Sequence, residues 1–259
     1  MNYGLYLSAS GVLTNSYRQD VLANNLANVN TVGFKPDLPT VAQRPAEADE
    51  DLTPFGTSHE LLDRLGGGVL AGPQRTSFAA GPIEQTGRPL DVAFTDQTSF
   101  LAVEETDAQT GETAVRLTRD GRLAINGQGF LVNTTGQRIL GPGDQPIALS
   151  PSAQTTVLPD GTIQQDGADV ATLQIATVNN TAALTKTGGN LFAFSGDDPR
   201  TPNLTPSLRP GALESSGTNG MATMLQILGV TRAANSNARL IEVHDTLMDR
   251  AINTLGRVS

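Results

Sequence analysis

The chain has 259 residues, enough to bury a sizeable core in one large domain or in a domain with attached elements. Trp is absent and aromatic residues make up 4%, so the core is expected to rest on Leu, Val, Ile and Ala. A net charge of −9 argues against a nucleic-acid partner, which needs a basic face to displace counterions, and the absence of Cys excludes disulfides and thiolate metal sites.

The acid is concentrated in the middle: residues 37–80 carry −4 and residues 81–210 carry −6, while both ends are near neutral. Such ends can associate while the acidic bodies repel weakly through solvent. No apolar run approaches the ~20 residues that span a bilayer, so membrane insertion is not expected. Met1-Asn2-Tyr3-Gly4-Leu5 shows no basic region followed by an apolar core. The expectation is a protein that stays inside the cell or leaves by a route that cleaves no signal peptide.

In chain order, residues 3–30 read as one helix. Leu5, Ala9, Val12, Ser16, Ala23 and Leu26 fall at helical spacings, with Leu22 and Val29 alongside. Its propensity is poor, because Asn15, Asn24, Asn25, Asn28 and Asn30 favour caps and turns, and Gly33 before Phe34-Lys35-Pro36 is a plausible stop. Residues 37–80, rich in Pro and closing on Gly66-Gly67-Gly68, read as an extended connector with a short helix near His59–Leu65. Residues 81–210 alternate short apolar runs with turns: Leu90–Phe94, Phe100–Glu104, Ala114–Thr118, Arg122–Ile125, Phe130–Asn133, Thr155–Leu158, Ala171–Val178 and Leu191–Phe194. Asp120-Gly121, Asn126-Gly127, Asp160-Gly161 and Asp166-Gly167 predict type I′ hairpins and hence an antiparallel β domain. Residues 220–257 form the clearest helix. Ile227, Val230, Ala234, Asn237, Ile241, His244, Met248, Ala251, Leu255 and Val258 keep an unbroken 3-4 alternation, widened by Leu225, Leu228, Leu240, Leu247 and Ile252.

The fold class is therefore α+β: long N- and C-terminal helices pairing as a coiled-coil-like domain, with a central antiparallel β domain. The domains run 1–36, 37–80 (connector), 81–210 and 211–259. A helix of about 55 Å exceeds what a compact 130-residue β domain can cover. Each Leu or Ile left in water forgoes about 1.5–3 kcal/mol. The outer faces of a helix pair would carry Ala, Asn, Ser and Thr more than Lys or Glu. Such a pair calls for further partners, most economically copies of itself, and heterologous contacts that do not close give a helical polymer.

Leu22-Ala23-Asn24-Asn25-Leu26-Ala27-Asn28-Val29-Asn30-Thr31-Val32-Gly33-Phe34-Lys35, preceded by Ser8-Ala9-Ser10-Gly11, resembles the N-terminal signature of the flagellar basal-body rod and hook proteins. Leu117-Thr118-Arg119-Asp120-Gly121-Arg122 with Asn126-Gly127 resembles the family's β-hairpin motif. Gly211-Ala212-Leu213-Glu214-Ser215-Ser216 resembles the segment entering its last helix. The resemblance implies an inner tube built by the terminal helices and a β domain outside it. It also implies self-association, partnership with other rod proteins and hook–basal-body components, a place in the rod spanning the periplasm, and export through the flagellar type III apparatus without signal cleavage. Leu117 stands for the family's Tyr, Ser216-Gly217-Thr218-Asn219 for its Ser-Asn-Val-Asn, and Thr223 for its Glu. The β domain is small for a hook protein, so the resemblance favours a rod subunit. The drifted C-terminal pattern favours proximal over distal rod.

The expected assembly residues are Leu22, Asn24, Asn25, Leu26, Asn28, Asn30, Gly33 and Phe34, with Ile227, Val230, Asn237, Ile241, His244, Met248 and Leu255 from the last helix. The asparagines are read as bonding neighbouring subunits, the alternative being a frayed, polar-capped helix end. Asn237 and His244 are read as register-setting polar residues in the stripe. No nucleophile elbow, phosphate loop or calcium loop occurs, so no catalytic, cofactor or metal site is expected. Glu104-Glu105 point to opposite faces of a strand and cannot share a substrate atom. The acids Glu47, Asp49, Glu50 and Asp51 read as a solvated loop. A carbohydrate-active or carbohydrate-binding β protein is the competing class, but Tyr3, Tyr6 and Tyr17 all lie in the first helix, leaving the β domain without Trp or Tyr platforms.

Overall fold

The computed structural model describes residues 3–45, 66–106, 111, 113–194, 200–203 and 206–255. The helix expected near His59–Leu65 and the acidic run at 47–51 lie outside the described residues. Two helices, α1 (Tyr3–Ala27) and α2 (Gly220–Leu255), flank an antiparallel β region, so the α+β class holds. The chain divides into two compact units. One comprises Met1–Ala27, Asp37–Arg75 and Gly220–Ser259; the other comprises Asn28–Pro36 and Thr76–Asn219.

In the first unit α1 packs antiparallel along α2, bringing Gly4 beside His244 and Gly11 beside Asn237. An antiparallel ribbon, Val41–Gln43 with Val69–Ala71, lies along α1. Thr14 Oγ1 donates to the Val69 carbonyl at 3.1 Å and Tyr17 Oη to that of Gly72 at 3.0 Å. These contacts rotate the buried stripe of α1 by about one residue from the expected one. Ser8, Thr14, Asn15, Val21, Leu22 and Asn25 are buried, while Ser16 and Ala23 are exposed. Small and polar residues, not the apolar period, decide the packed face, because two partners press on α1.

The first helix also stops earlier than expected, at Ala27. Thr31 Oγ1 donates to Asn28 Oδ1 at 3.1 Å, and the amides of Thr31 and Phe34 close two successive turns on the carbonyls of Asn28 and Thr31. Gly33 is then a left-handed residue (φ +66°) within those turns rather than the helix stop.

The second unit holds a ten-stranded antiparallel sheet whose central strand is Ser99–Thr106, paired with Thr113–Thr118, Arg138–Gly141 and Ile175–Thr177. The first five residues of that strand are buried on both faces. Leu101 and Val103 enter one core with Val92, Phe94, Ile139 and Ile163; Phe100 and Ala102 enter another with Leu117, Leu140 and Phe192. The first core is mainly aliphatic, as composition predicts. The second is built on rings, with Phe78, Phe100 and Phe192 in mutual contact at centroid distances of 5.3–5.8 Å.

A three-stranded meander, Thr155–Val157, Thr162–Gln165 and Ala168–Thr172, adds to the aliphatic core. Of the four expected type I′ hairpins, only Asp166-Gly167 has positive φ at both positions. Asn126-Gly127 and Asp160-Gly161 do connect paired strands, with the left-handed residues at Gly129 and Gly161. Asp120-Gly121 is not a hairpin turn. A Cβ on Gly121 would fall 1.7 Å from the Val92 carbonyl oxygen, so this glycine serves a close backbone crossing.

Candidate assembly interface and a buried junction

Along α2, the expected stripe turns toward α1. Ile227, Val230, Asn237, Ile241, His244 and Met248 are half-buried, and Leu255 closes the helix. Glycines on α1 receive the two polar members: a Cβ on Gly11 would lie 2.4 Å from Asn237 Nδ2, and one on Gly4 2.7 Å from His244 Cε1. The residues that widened the stripe stay in water instead. Leu225, Leu228, Leu240, Leu247 and Ile252 are exposed, together with Met221, Met224 and Val243. Hydroxyls on this helix fold back: Thr231, Ser236, Thr246 and Thr254 each donate to the carbonyl four residues earlier. Among the described residues, fifteen large hydrophobic side chains are exposed; fourteen lie in this helix-and-ribbon unit and only Val170 lies in the β unit.

The N-terminal asparagines divide. Asn25 is buried, its Nδ2 donating to the Asp37 carbonyl at 2.7 Å and its Oδ1 accepting from the Asp37 amide at 2.9 Å. Its amide is thus engaged inside the chain. Asn28 accepts from Thr31, while Asn24 and Asn30 are exposed; Leu22 is buried and Leu26 half-buried.

Within the β unit, the turn segment Asn28–Pro36 is held by two separate stretches of chain, around Asn190 and from Glu214 to Gly217. Gly33 donates its amide to the Glu214 carbonyl at 2.7 Å, Asn190 Nδ2 donates to Val32 O at 2.8 Å, and the Gly217 amide to Phe34 O at 2.9 Å. Phe34 is buried under Lys186, whose Nζ lies 4.4 Å from the ring centroid and donates to the Lys35 carbonyl. Beneath lies an ionic cluster. Lys35 Nζ sits 2.6 Å from Glu214 Oε1, Arg119 Nη1 sits 3.3 Å from Oε2, and the Gly81 amide donates to Oε1 at 2.7 Å. All three side chains are at most 1% exposed. The Arg119 guanidinium is flanked by Phe94 and Phe100, 5.1 and 4.9 Å from their centroids. Burial pushes Lys35 and Arg119 below their ordinary pKa values, and Glu214 opposes this for both.

This junction joins the three stretches that carry the family resemblance, and the residue pattern did not foretell it. The signal lies in Lys35 and Glu214, the lone charges of their matched segments, and in Arg119, one of three charges in the middle segment. Their neighbours have local duties. Leu117 is core, Asp120 takes a bidentate pair from Arg122 (2.6 and 2.9 Å), and Gly121 permits the backbone crossing. That pairing raises the Arg122 pKa. Glu104 and Glu105 each have their own arginine, Arg138 and Arg116. Among the described residues no group of three His, Asp or Glu could hold a metal ion, and no helix is long and apolar enough to cross a membrane.

The family model described as "Flagella basal body rod protein" matches residues 5–35. Over its whole length the chain is 28% identical to the flagellar basal-body rod protein FlgF of Caulobacter vibrioides, covering 100% of both chains. It is also 28% identical to FlgF of Rhizobium meliloti over 99% of each. The flagellar basal-body rod protein FlgG of Bacillus subtilis is 27% identical, over 96% of this chain and 97% of that one. The N-terminal signature is matched and relatives align from end to end, so the chain is similar along its whole length to flagellar basal-body rod proteins.

Proposed function

We propose that this protein is a structural subunit of the bacterial flagellar basal-body rod, of the proximal-rod kind, and that copies join through the terminal helices. Its mechanism is assembly and torque transmission, and it is not an enzyme. In this reading residues 1–36 and 211–259 supply the helical layer through which copies join, residues 81–210 the β domain, and 37–80 the connector. Partners are further copies, other rod and hook–basal-body proteins and the flagellar type III export apparatus, and the subunit is exported without signal cleavage to the rod in the periplasm. The two FlgF-named relatives, aligned over 99–100% of both chains, favour the proximal rod.

The observation that carries the reading is the concentration of exposed apolar side chains in the helix-and-ribbon unit. A helix that buries one stripe and leaves Met221, Leu225, Leu228 and Leu247 in water has a face still to be covered. Replacing Leu225 and Leu228 by Asp tests it. The purified variant should keep the far-ultraviolet circular dichroism of the parent, while cells carrying it stop swimming and build short basal bodies. Normal swimming by that variant would remove the basis of the proposal.

A further inference from the structure

The side of α2 away from α1 carries exposed charges, four of which form two matched pairs, with Arg250 on the same side outside them. Arg232 and Arg239 are seven residues apart, and so are Glu242 and Asp249. Seven residues are close to two turns, so each pair stacks on one line, and the two lines lie about 80° apart round the helix. Among the described residues Arg232, Arg239 and Glu242 make no ion pair or side-chain hydrogen bond, although Arg239 and Glu242 are one turn apart. Asp249 accepts only from Asn253 Nδ2 at 2.9 Å.

We propose that a second copy of this chain lays its α2 parallel to this one, displaced by ten residues, so that the arginine line of one copy meets the carboxylate line of the next. This rests on the reading that terminal helices join copies. In an open polymer neighbours are related by a screw operation, so equivalent helices run parallel. A displacement of ten residues, about 15 Å, sets Arg232 level with Glu242 and Arg239 level with Asp249 at once. No other displacement brings more than one described arginine of α2 level with a carboxylate. At zero displacement every charge would stand beside its own copy, whereas at ten no like charges are level. Leu225, Leu228 and Val243, exposed on the arginine side, supply apolar area to the same contact.

The chain has no cysteine, so introduced pairs report the register directly. Ser236 and Thr246 are exposed and stand level at a displacement of ten. Within one helix they are about 15 Å apart, too far for an internal disulfide. Oxidised basal bodies from cells expressing the full chain with S236C and T246C should give a ladder of cross-linked subunits. The control pair S236C and N253C, level only at seventeen, should not. R232E with R239E should abolish swimming, and adding E242R with D249R should restore it. The register is overturned if the control pair alone cross-links, if the first pair fails to cross-link in complete basal bodies, or if the arginine reversals swim normally. If those reversals are silent while the Asp substitutions at Leu225 and Leu228 arrest assembly, the register fails and the terminal-helix reading stands. If both sets are silent, both fail.

Discussion

Replacing Glu214 by Leu should destabilise the chain more than any other single change in the junction. The carboxylate is the shared counter-ion of two fully buried cations. Without it Lys35 Nζ keeps only the Ala79 carbonyl, at 2.9 Å, and Arg119 Nη1 keeps the Asp96 carbonyl, at 2.8 Å. Breaking a buried pair by removing one partner costs about 3–5 kcal/mol, and stranding two cations puts Glu214→Leu near the upper end. Lys35→Met should cost less, about 2–3 kcal/mol, because Glu214 retains Arg119 and the Gly81 amide. The double variant is diagnostic. Once Glu214 is gone Lys35 is itself a burden, so adding Lys35→Met should recover about 1–2 kcal/mol rather than add to the loss. Urea unfolding of the full chain, followed by circular dichroism in the β region, measures all three. Additive losses, or a Glu214→Leu variant within about 1 kcal/mol of the parent, would refute the shared-counter-ion argument.

Gly33→Ala should cost about 2–4 kcal/mol, since its Cβ would sit 2.4 Å from the Arg119 carbonyl oxygen at φ +66°. Gly87→Ala, left-handed but with nothing within 4 Å among the described residues, should cost only about 1 kcal/mol; thermal melts separate them. Gly11→Ala should lower helix content by pressing on Asn237, and Asn237→Ala in the same chain should restore it, read by circular dichroism. Lys35 has its pKa lowered from 10.5 by burial. Between the lowered value and 10.5 the unfolded chain therefore binds more protons than the folded one, and stability gains as pH rises through that window. The penalty of Lys35→Met, measured by unfolding at stepped pH, should accordingly grow with pH there.

Periodicity made the long elements legible. The 3-4 alternation of Ile227 to Met248 is the face that α2 turns to α1, and Phe100–Glu104 lies within the central strand. What sequence missed follows from what periodicity leaves out. The first helix chose its packed face by the smallness of Gly4 and Gly11 and by hydrogen bonds from Thr14 and Tyr17, none of which an apolar count registers. Asp120-Gly121 has the composition of a hairpin turn, yet the glycine is there because another backbone crosses it. Gly188-Gly189-Asn190, left-handed throughout, makes a hairpin that was not foreseen. The buried ions were hidden for a different reason. Charged residues read as surface until their partner is known, and Lys35 and Glu214 are 179 positions apart.

The distribution of buried and exposed side chains makes one last prediction. Residues 28–219 contain all three stretches of the junction, both hydrophobic clusters and every strand of the ten-stranded sheet. Among its described residues Leu38, Val41, Val69, Leu70 and Val170 are the large exposed hydrophobics, and all but Val170 belong to the segment 37–75 of the helix unit. That fragment has its counter-ions and its cores, so it should unfold cooperatively and keep the β dichroism of the parent. The helices are in the opposite position. The eight large apolar side chains of α2 that are exposed forgo, together, on the order of 10 kcal/mol that a covered surface would supply, and an isolated helix pair of this kind is marginal. In the full chain the helical signal should therefore fade at lower urea than the β signal. A single coincident transition, or a fragment 28–219 that fails to fold, would mean that the helices stabilise the β unit, and that their exposed faces are not waiting for a neighbour.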